Sequence, residues 1–184
     1  MSERRRRIQE EKAAYWHSEA SRVFDELHAD GKDKSLFMIV NDDKKRIDEI
    51  SPISNVARDK QFDVVVASQT TGEDAIAFFE AFRKHEGDKY ATPTCVVVFM
   101  DGNLGASEEF GLGSQVARHM MQQCERNGWE KPFLVGASTS WEMNKMLGER
   151  FPAQTLSAPD NAQLVDRIIA KVSEIDSLTL KSIS

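Results

Sequence analysis

The chain reads as a doubly wound α/β domain with a five-stranded parallel sheet, and three observations predict it. From residue 35 onward, strand-like runs alternate with helical patterns through five βα units. The runs Ser35-Leu-Phe-Met-Ile-Val40 and Cys95-Val-Val-Val-Phe-Met100 are apolar without alternation, the pattern of strands covered on both faces. Each run delivers polar residues into a turn: Asn41-Asp42-Asp43 after the first, Asp101-Gly-Asn-Leu-Gly105 after the second. Strand order 2-1-3-4-5 with right-handed crossovers would set Asp42 and Asp101 together at the C-terminal sheet edge, where such sheets bind ligands.

Residues 3–29 contain no helix breaker and carry an apolar stripe of Ile8, Trp16, Ala20, Val23, Phe24 and Leu27. Gly31 stops this helix, dividing the chain into an N-terminal helix and linker (1–33), an α/β domain (34–178) and a tail (179–184). The five units already cover both sheet faces, so the stripe is expected to pack on a second copy of the chain or on a partner, the alternative being that it docks back on the same α/β domain. Strand 35–40 is followed by a helical stretch from Asp43 that breaks near Pro52, then strand 62–67. Thr70-Thr-Gly-Glu73 has capping-box spacing and opens a helix carrying Ala75, Ile76, Phe78, Phe79 and Phe82. Strand 95–100, helix 113–124 and strand 133–137 come next, then helix 139–147 opened by Thr139-x-x-Glu142. Strand 154–157 and helix 161–175 close the domain, the last helix presenting Leu164, Val165, Ile168, Ile169, Val172 and Ile175 to the core.

At 184 residues and 40% hydrophobic content, one core with an appendage is expected. The net charge of −6 argues against a nucleic-acid-binding surface, and the run Arg4-Arg5-Arg6-Arg7 reads as solvated. Cys95 and Cys124 are too few for a disulfide framework, which suits a reducing cytoplasm. Neither a signal peptide nor a membrane-spanning run is expected. His17, His28, His85 and His119 lack zinc-ligand spacing.

If the first and third strands lie side by side, Asp42 and Asp101 converge, and crowded anionic oxygens are costly without a cation. A hard, oxygen-lined site suits Mg²⁺. The bland alternative is that Asn41-Asp42-Asp43 only caps the following helix.

The ordered set is Asn41-Asp42-Asp43 after strand one, Asp101-Gly-Asn-Leu after strand three, Ser138-Thr139 after strand four and Ala158-Pro159 after strand five. Over about residues 35–175 it resembles the receiver domain of response regulators in two-component signalling, a flavodoxin-like fold. The resemblance implies that Asp101 is a phosphoacceptor, phosphorylated by a histidine kinase or phosphotransfer protein with Mg²⁺ as cofactor. It further implies that Asp42, Asp101 and the backbone carbonyl of Asn103 hold the metal, with Asn41 acting through a water. Counting from Pro132 leaves the hydroxyl-bearing position between Ala137 and Ser138, and Ser138 is preferred because the chemistry needs a hydroxyl.

The chain departs from the family at two places: Asn41 is a neutral member of the acidic pair, and Ala158 stands where the family has lysine. Lys131 and Lys145 are the candidate replacement cations. The expected function is that of a cytoplasmic phosphoprotein in a phosphorelay, signalling through contact with a downstream protein. No nucleic acid or membrane is expected to be involved, no dedicated enzymatic activity is expected beyond phosphoacceptor chemistry at Asp101, and homodimerisation through the N-terminal helix is an option. The alternative is a phosphorylation-independent pseudo-receiver that serves as an interaction module. Phe99-Met-Asp101-Gly-Asn-Leu is also similar to the Asp-x-Asp-Gly-Thr-Leu signature of haloacid dehalogenase-type phosphatases, but Phe99 occupies the place of their nucleophile. A Gly-rich phosphate loop after strand one is missing.

Overall fold

A computed structural model describes residues 3–32, 34–87 and 93–183, the side chains of 5 and 176–183 apart. The elements run α1 (Glu3–His28), β1 (Ser35–Val40), α2 (Lys44–Ile50), α3 (Ile53–Asp59), β2 (Val64–Gln69) and α4 (Gly72–Gly87). They continue with β3 (Val96–Met100), α5 (Gly113–Asn127), β4 (Phe133–Gly136), α6 (Trp141–Arg150), β5 (Thr155–Leu156) and α7 (Asn161–Ile183). The strands form one parallel sheet in the order β2-β1-β3-β4-β5, as the βα alternation predicts.

The unbroken apolar runs result from burial on both faces. Leu36, Met38 and Val40 of β1 join Val96, Val98 and Met100 of β3 in one core, beneath α4 and α5. Phe37, Ile39, Val97 and Phe99 face the opposite core, against α2, α3 and α7. Their alternate side chains point to opposite faces, yet none meets water.

The N-terminal stripe is covered by the chain itself, and this corrects the expectation of a second copy or a partner. Ala20, Val23, Phe24 and Leu27 are buried in the core that holds α4. Trp16 donates from Nε1 to Asp74 Oδ1 at 2.9 Å and meets the Phe78 ring edge-on at 6.1 Å, while Phe24 lies 6.0 Å from Phe82. The physical reason lies in α4, where Ala75, Ile76, Phe78, Phe79 and Phe82 are all buried. A helix apolar on more than one face needs covering on both sides, and the sheet supplies only one. Only the N-terminal end of the stripe stays outside, with Ile8 47% exposed.

Helix starts shift by a residue from the sequence spacing. Thr71, not Thr70, caps α4, accepting from the Asp74 backbone N–H at 3.1 Å. Ser140, not Thr139, caps α6 through the Met143 N–H. Helix α7 continues beyond 175 to Ile183, so backbone 179–183 of the expected tail is helical. Asp33 of the linker and Ser184 of the tail lie outside the described residues. Among the described residues no helix is long and apolar enough to cross a membrane.

Candidate functional site

The register of the parallel pairs lays out the C-terminal edge of the sheet. Val40 pairs with Met100, Met100 with Gly136, and Val135 with Leu156. Extending these registers past the strand ends places Asn41, Asp101, Ala137 and Ala158 in one row across the edge. The Asp101 N–H donates to Val40 O and the Ala137 N–H to Met100 O, each at 2.9 Å, so the row is held by backbone bonds.

Asn41 is buried, and its Oδ1 accepts from the Asp43 N–H at 2.9 Å, closing a turn. Asp43 accepts from the Lys45 N–H at 2.9 Å and so caps α2. The capping role thus falls to Asp43. Asp42, between Asn41 and Asp43, is exposed, its carboxylate without an intramolecular partner among the described residues.

Asp101 is half-buried, with Oδ1 accepting from the Gly102 N–H at 2.6 Å and Oδ2 left for other partners. Two helices press on it. A Cβ on Gly113, the first residue of α5, would lie 1.9 Å from the Asp101 carbonyl oxygen, and a Cβ on Gly102 would lie 2.4 Å from Cβ of Met143 on α6. Glycine is required at both positions because backbone and side chain approach there more closely than a methyl allows.

The loop after β3 is pinned by a single antiparallel bridge between Asn103 and Leu112. The Leu104 N–H donates to Gly111 O and the Gly113 N–H to Gly102 O, so the bridging bonds flank Asn103 and leave its carbonyl outside the ladder. The Asn103 side chain turns back instead, its Oδ1 accepting from the Gly105 N–H at 3.3 Å.

Ala137, rather than Ser138, lies beside Asp101 in the row, and Ser138 comes one residue later. The Ser138 backbone is clamped by the Asn144 amide: its N–H donates to Oδ1 at 3.1 Å and its carbonyl accepts from Nδ2 at 2.9 Å. Its Oγ accepts from the Ser140 N–H at 3.2 Å, leaving the hydroxyl proton to donate elsewhere.

Neither lysine replaces the cation missing at Ala158. Lys131 precedes β4, which puts it at the opposite end of the parallel sheet, where it pairs with Glu125 at 2.8 Å. Lys145 sits over the Trp141 ring at 5.2 Å and pairs with Glu149. A cation that reaches this edge is Arg46 of α2, which lines a crevice together with Ser138 and Ala158. Sequence reasoning missed it. The available signal was its place one turn into the helix that Asp43 caps, close to the row.

The oxygen set fits a hard divalent cation in kind, with Asp42, Asp101 Oδ2 and the Asn103 carbonyl all available. It is thin in charge, because Asn41 beside Asp42 is a neutral amide. Among the described residues no three acidic, histidine or cysteine side chains gather closely enough to hold a metal ion. Compared with known proteins, the sequence matches no protein-family model and no curated protein.

Proposed function

We propose that the chain is a receiver-type response regulator of a two-component or phosphorelay pathway, accepting a phosphoryl group on Asp101. The observation that carries this reading is the β1–β3 register, which sets Asn41-Asp42 beside Asp101 at the point where the strand order reverses. In the reaction, a P–O bond forms to Asp101 Oδ2 while the P–N bond of a donor phosphohistidine breaks and the imidazole leaves with the electron pair. The Gly102 N–H holds the other carboxylate oxygen, which orients the attack. Mg²⁺, held by Asp42, Asp101 and the Asn103 carbonyl with waters completing its shell, would neutralise the charge gathering on phosphorus. The Ser138 hydroxyl would donate to a phosphoryl oxygen. A cytoplasmic location, an upstream histidine kinase or phosphotransfer protein and a downstream protein partner belong to the same reading.

A phosphorylation-independent interaction module is the second reading. Ala158 at the end of the row and the lack of a third carboxylate both favour it. Incubation with acetyl phosphate and Mg²⁺ followed by intact-mass measurement separates the two. Receiver chemistry predicts one added phosphoryl group, lost in Asp101→Asn and without Mg²⁺. An unchanged mass favours the interaction module.

A further inference from the structure

Beyond Ala137, whose N–H donates to Met100 O, the chain leaves the sheet, and a side chain takes over its hydrogen bonding. Asn144, one turn into α6, holds Ser138 at both backbone groups. Its Oδ1 accepts from the Ser138 N–H at 3.1 Å, and its Nδ2 donates to the Ser138 carbonyl at 2.9 Å. The amide is seated against Gly136, where an added Cβ would lie 2.6 Å from Asn144 Oδ1. The helix in turn sets Asn144, whose own N–H donates to Ser140 O at 3.3 Å, while Ser140 caps α6 through the Met143 N–H. The Ser140 N–H donates to Ser138 Oγ at 3.2 Å, so the hydroxyl oxygen and both backbone groups of Ser138 are bonded to the start of one helix.

These bonds divide the work. The two from Asn144 fix the backbone of Ser138, and the one from Ser140 fixes only the rotamer of its hydroxyl. With the N–H engaged, the hydroxyl proton is the one donor Ser138 has to offer. A donor aimed at charge that forms on a neighbouring group is effective only where its position is set beforehand, to within about 0.5 Å. Without the amide, two half-buried backbone groups lose their partner and the hydroxyl loses its fixed origin.

We infer that Asn144 is a positioning residue for phosphoryl transfer to Asp101, its amide holding the Ser138 backbone so that the hydroxyl meets a phosphoryl oxygen. This rests on the phosphoacceptor reading of Asp101. Asn144 touches no reacting atom and acts only through Ser138.

The rate of phosphoryl uptake by the full chain from acetyl phosphate and Mg²⁺, followed by intact mass, tests this in a double-mutant cycle. Ser138→Ala should slow uptake about tenfold, the effect of one hydrogen bond to a charged group. Asn144→Ala should slow it by a similar factor, and the doubly substituted protein should be no slower than Ser138→Ala alone. A residue with a merely structural role would slow uptake equally in both backgrounds. Asn144→Ser takes the place of Asn144→Ala if the latter loses its far-UV circular dichroism, with the same non-additivity expected. Hydrogen exchange at the Ser138 N–H should quicken about tenfold in the Asn144 variant, a readout independent of phosphorylation. Additive slowing, an unaffected rate in either single variant, or unchanged exchange at Ser138 would overturn the inference and leave Asp101 as the phosphoacceptor. No uptake by the unaltered protein would overturn the phosphoacceptor reading and the inference with it.

Discussion

Replacing Gly113 by alanine tests how tightly α5 is pressed onto the backbone of Asp101. The added methyl would start 1.9 Å from the Asp101 carbonyl oxygen and 2.7 Å from Cγ of Met100. Non-bonded contacts settle near about 3.5 Å, so the helix start must retreat by roughly 1.5 Å. Both neighbours are confined, Asp101 by the bond from its N–H to Val40 O and Met100 by the core, where it is 2% exposed. Retreat lengthens the 3.1 Å bond from the Gly113 N–H to Gly102 O, a loss of about 1 kcal/mol. It also lifts Val116, Ala117 and Met120, all fully buried, off their partners, and overpacking of this kind costs about 1–3 kcal/mol. The expected total is about 3 kcal/mol. Urea denaturation monitored by far-UV circular dichroism should show the midpoint falling by about 1–2 M, given a slope of about 2 kcal/mol/M. Gly87→Ala is the internal control: it ends α4 with nothing among the described residues within 4 Å of its added methyl, and should be neutral or stabilising by up to about 1 kcal/mol. A Gly113→Ala protein within about 0.5 kcal/mol of the parent, at unchanged slope, would refute the close packing of α5 on Asp101.

Glu86 accepts from Arg83 Nη1 at 2.7 Å and from the Thr94 N–H, and Arg83 is 1% exposed. Glu86→Ala should therefore cost about 3–5 kcal/mol in the same assay, because it strands a buried guanidinium. Gln69, 1% exposed at the end of β2, has neither amide atom hydrogen-bonded. Gln69→Met should raise stability by about 1–2 kcal/mol, and a loss of that size would show that the amide is satisfied in solution. The Asp160 carboxyl is held below its usual range, chiefly by the Gln163 backbone N–H it accepts. A depressed folded-state value gives stability that is present above the unfolded value, about 3.9, and is lost as pH falls through the folded one. Asp160→Asn should flatten stability against pH in that acidic window, and parallel profiles for the two proteins would reject the hydrogen bond from the Gln163 N–H.

Much of the α/β fold was legible in the residue order, because the signals it uses are local. A strand buried on both faces must be apolar at every position, so 35–40 and 95–100 declare themselves. Parallel strands all end at the same edge of their sheet, and the residues just past β1 and β3, Asp42 and Asp101 among them, are therefore neighbours there. The polarity of the sheet likewise sets Lys131, ahead of β4, at the far end from Asp101.

Three features were decided only in the folded chain. Whether Trp16, Phe24 and their neighbours met a partner or α4 depended on the second apolar face of α4, and Phe78-Phe79-x-x-Phe82 carries that face without naming its cover. The choice of Thr71 over Thr70 and Ser140 over Thr139 as caps turned on a one-residue difference in where each helix begins, and adjacent hydroxyl residues do not resolve it. The crevice beside Ala158 is a space bounded by α2, two loops and α7, so it belongs to no segment. Periodicity reports which residues leave water, a property of each element alone. The position of Arg46 relative to Ser138 and Ala158 is a property of how separate elements pack, and it comes into being only when tertiary contacts bring residues 46, 138 and 158 to one crevice.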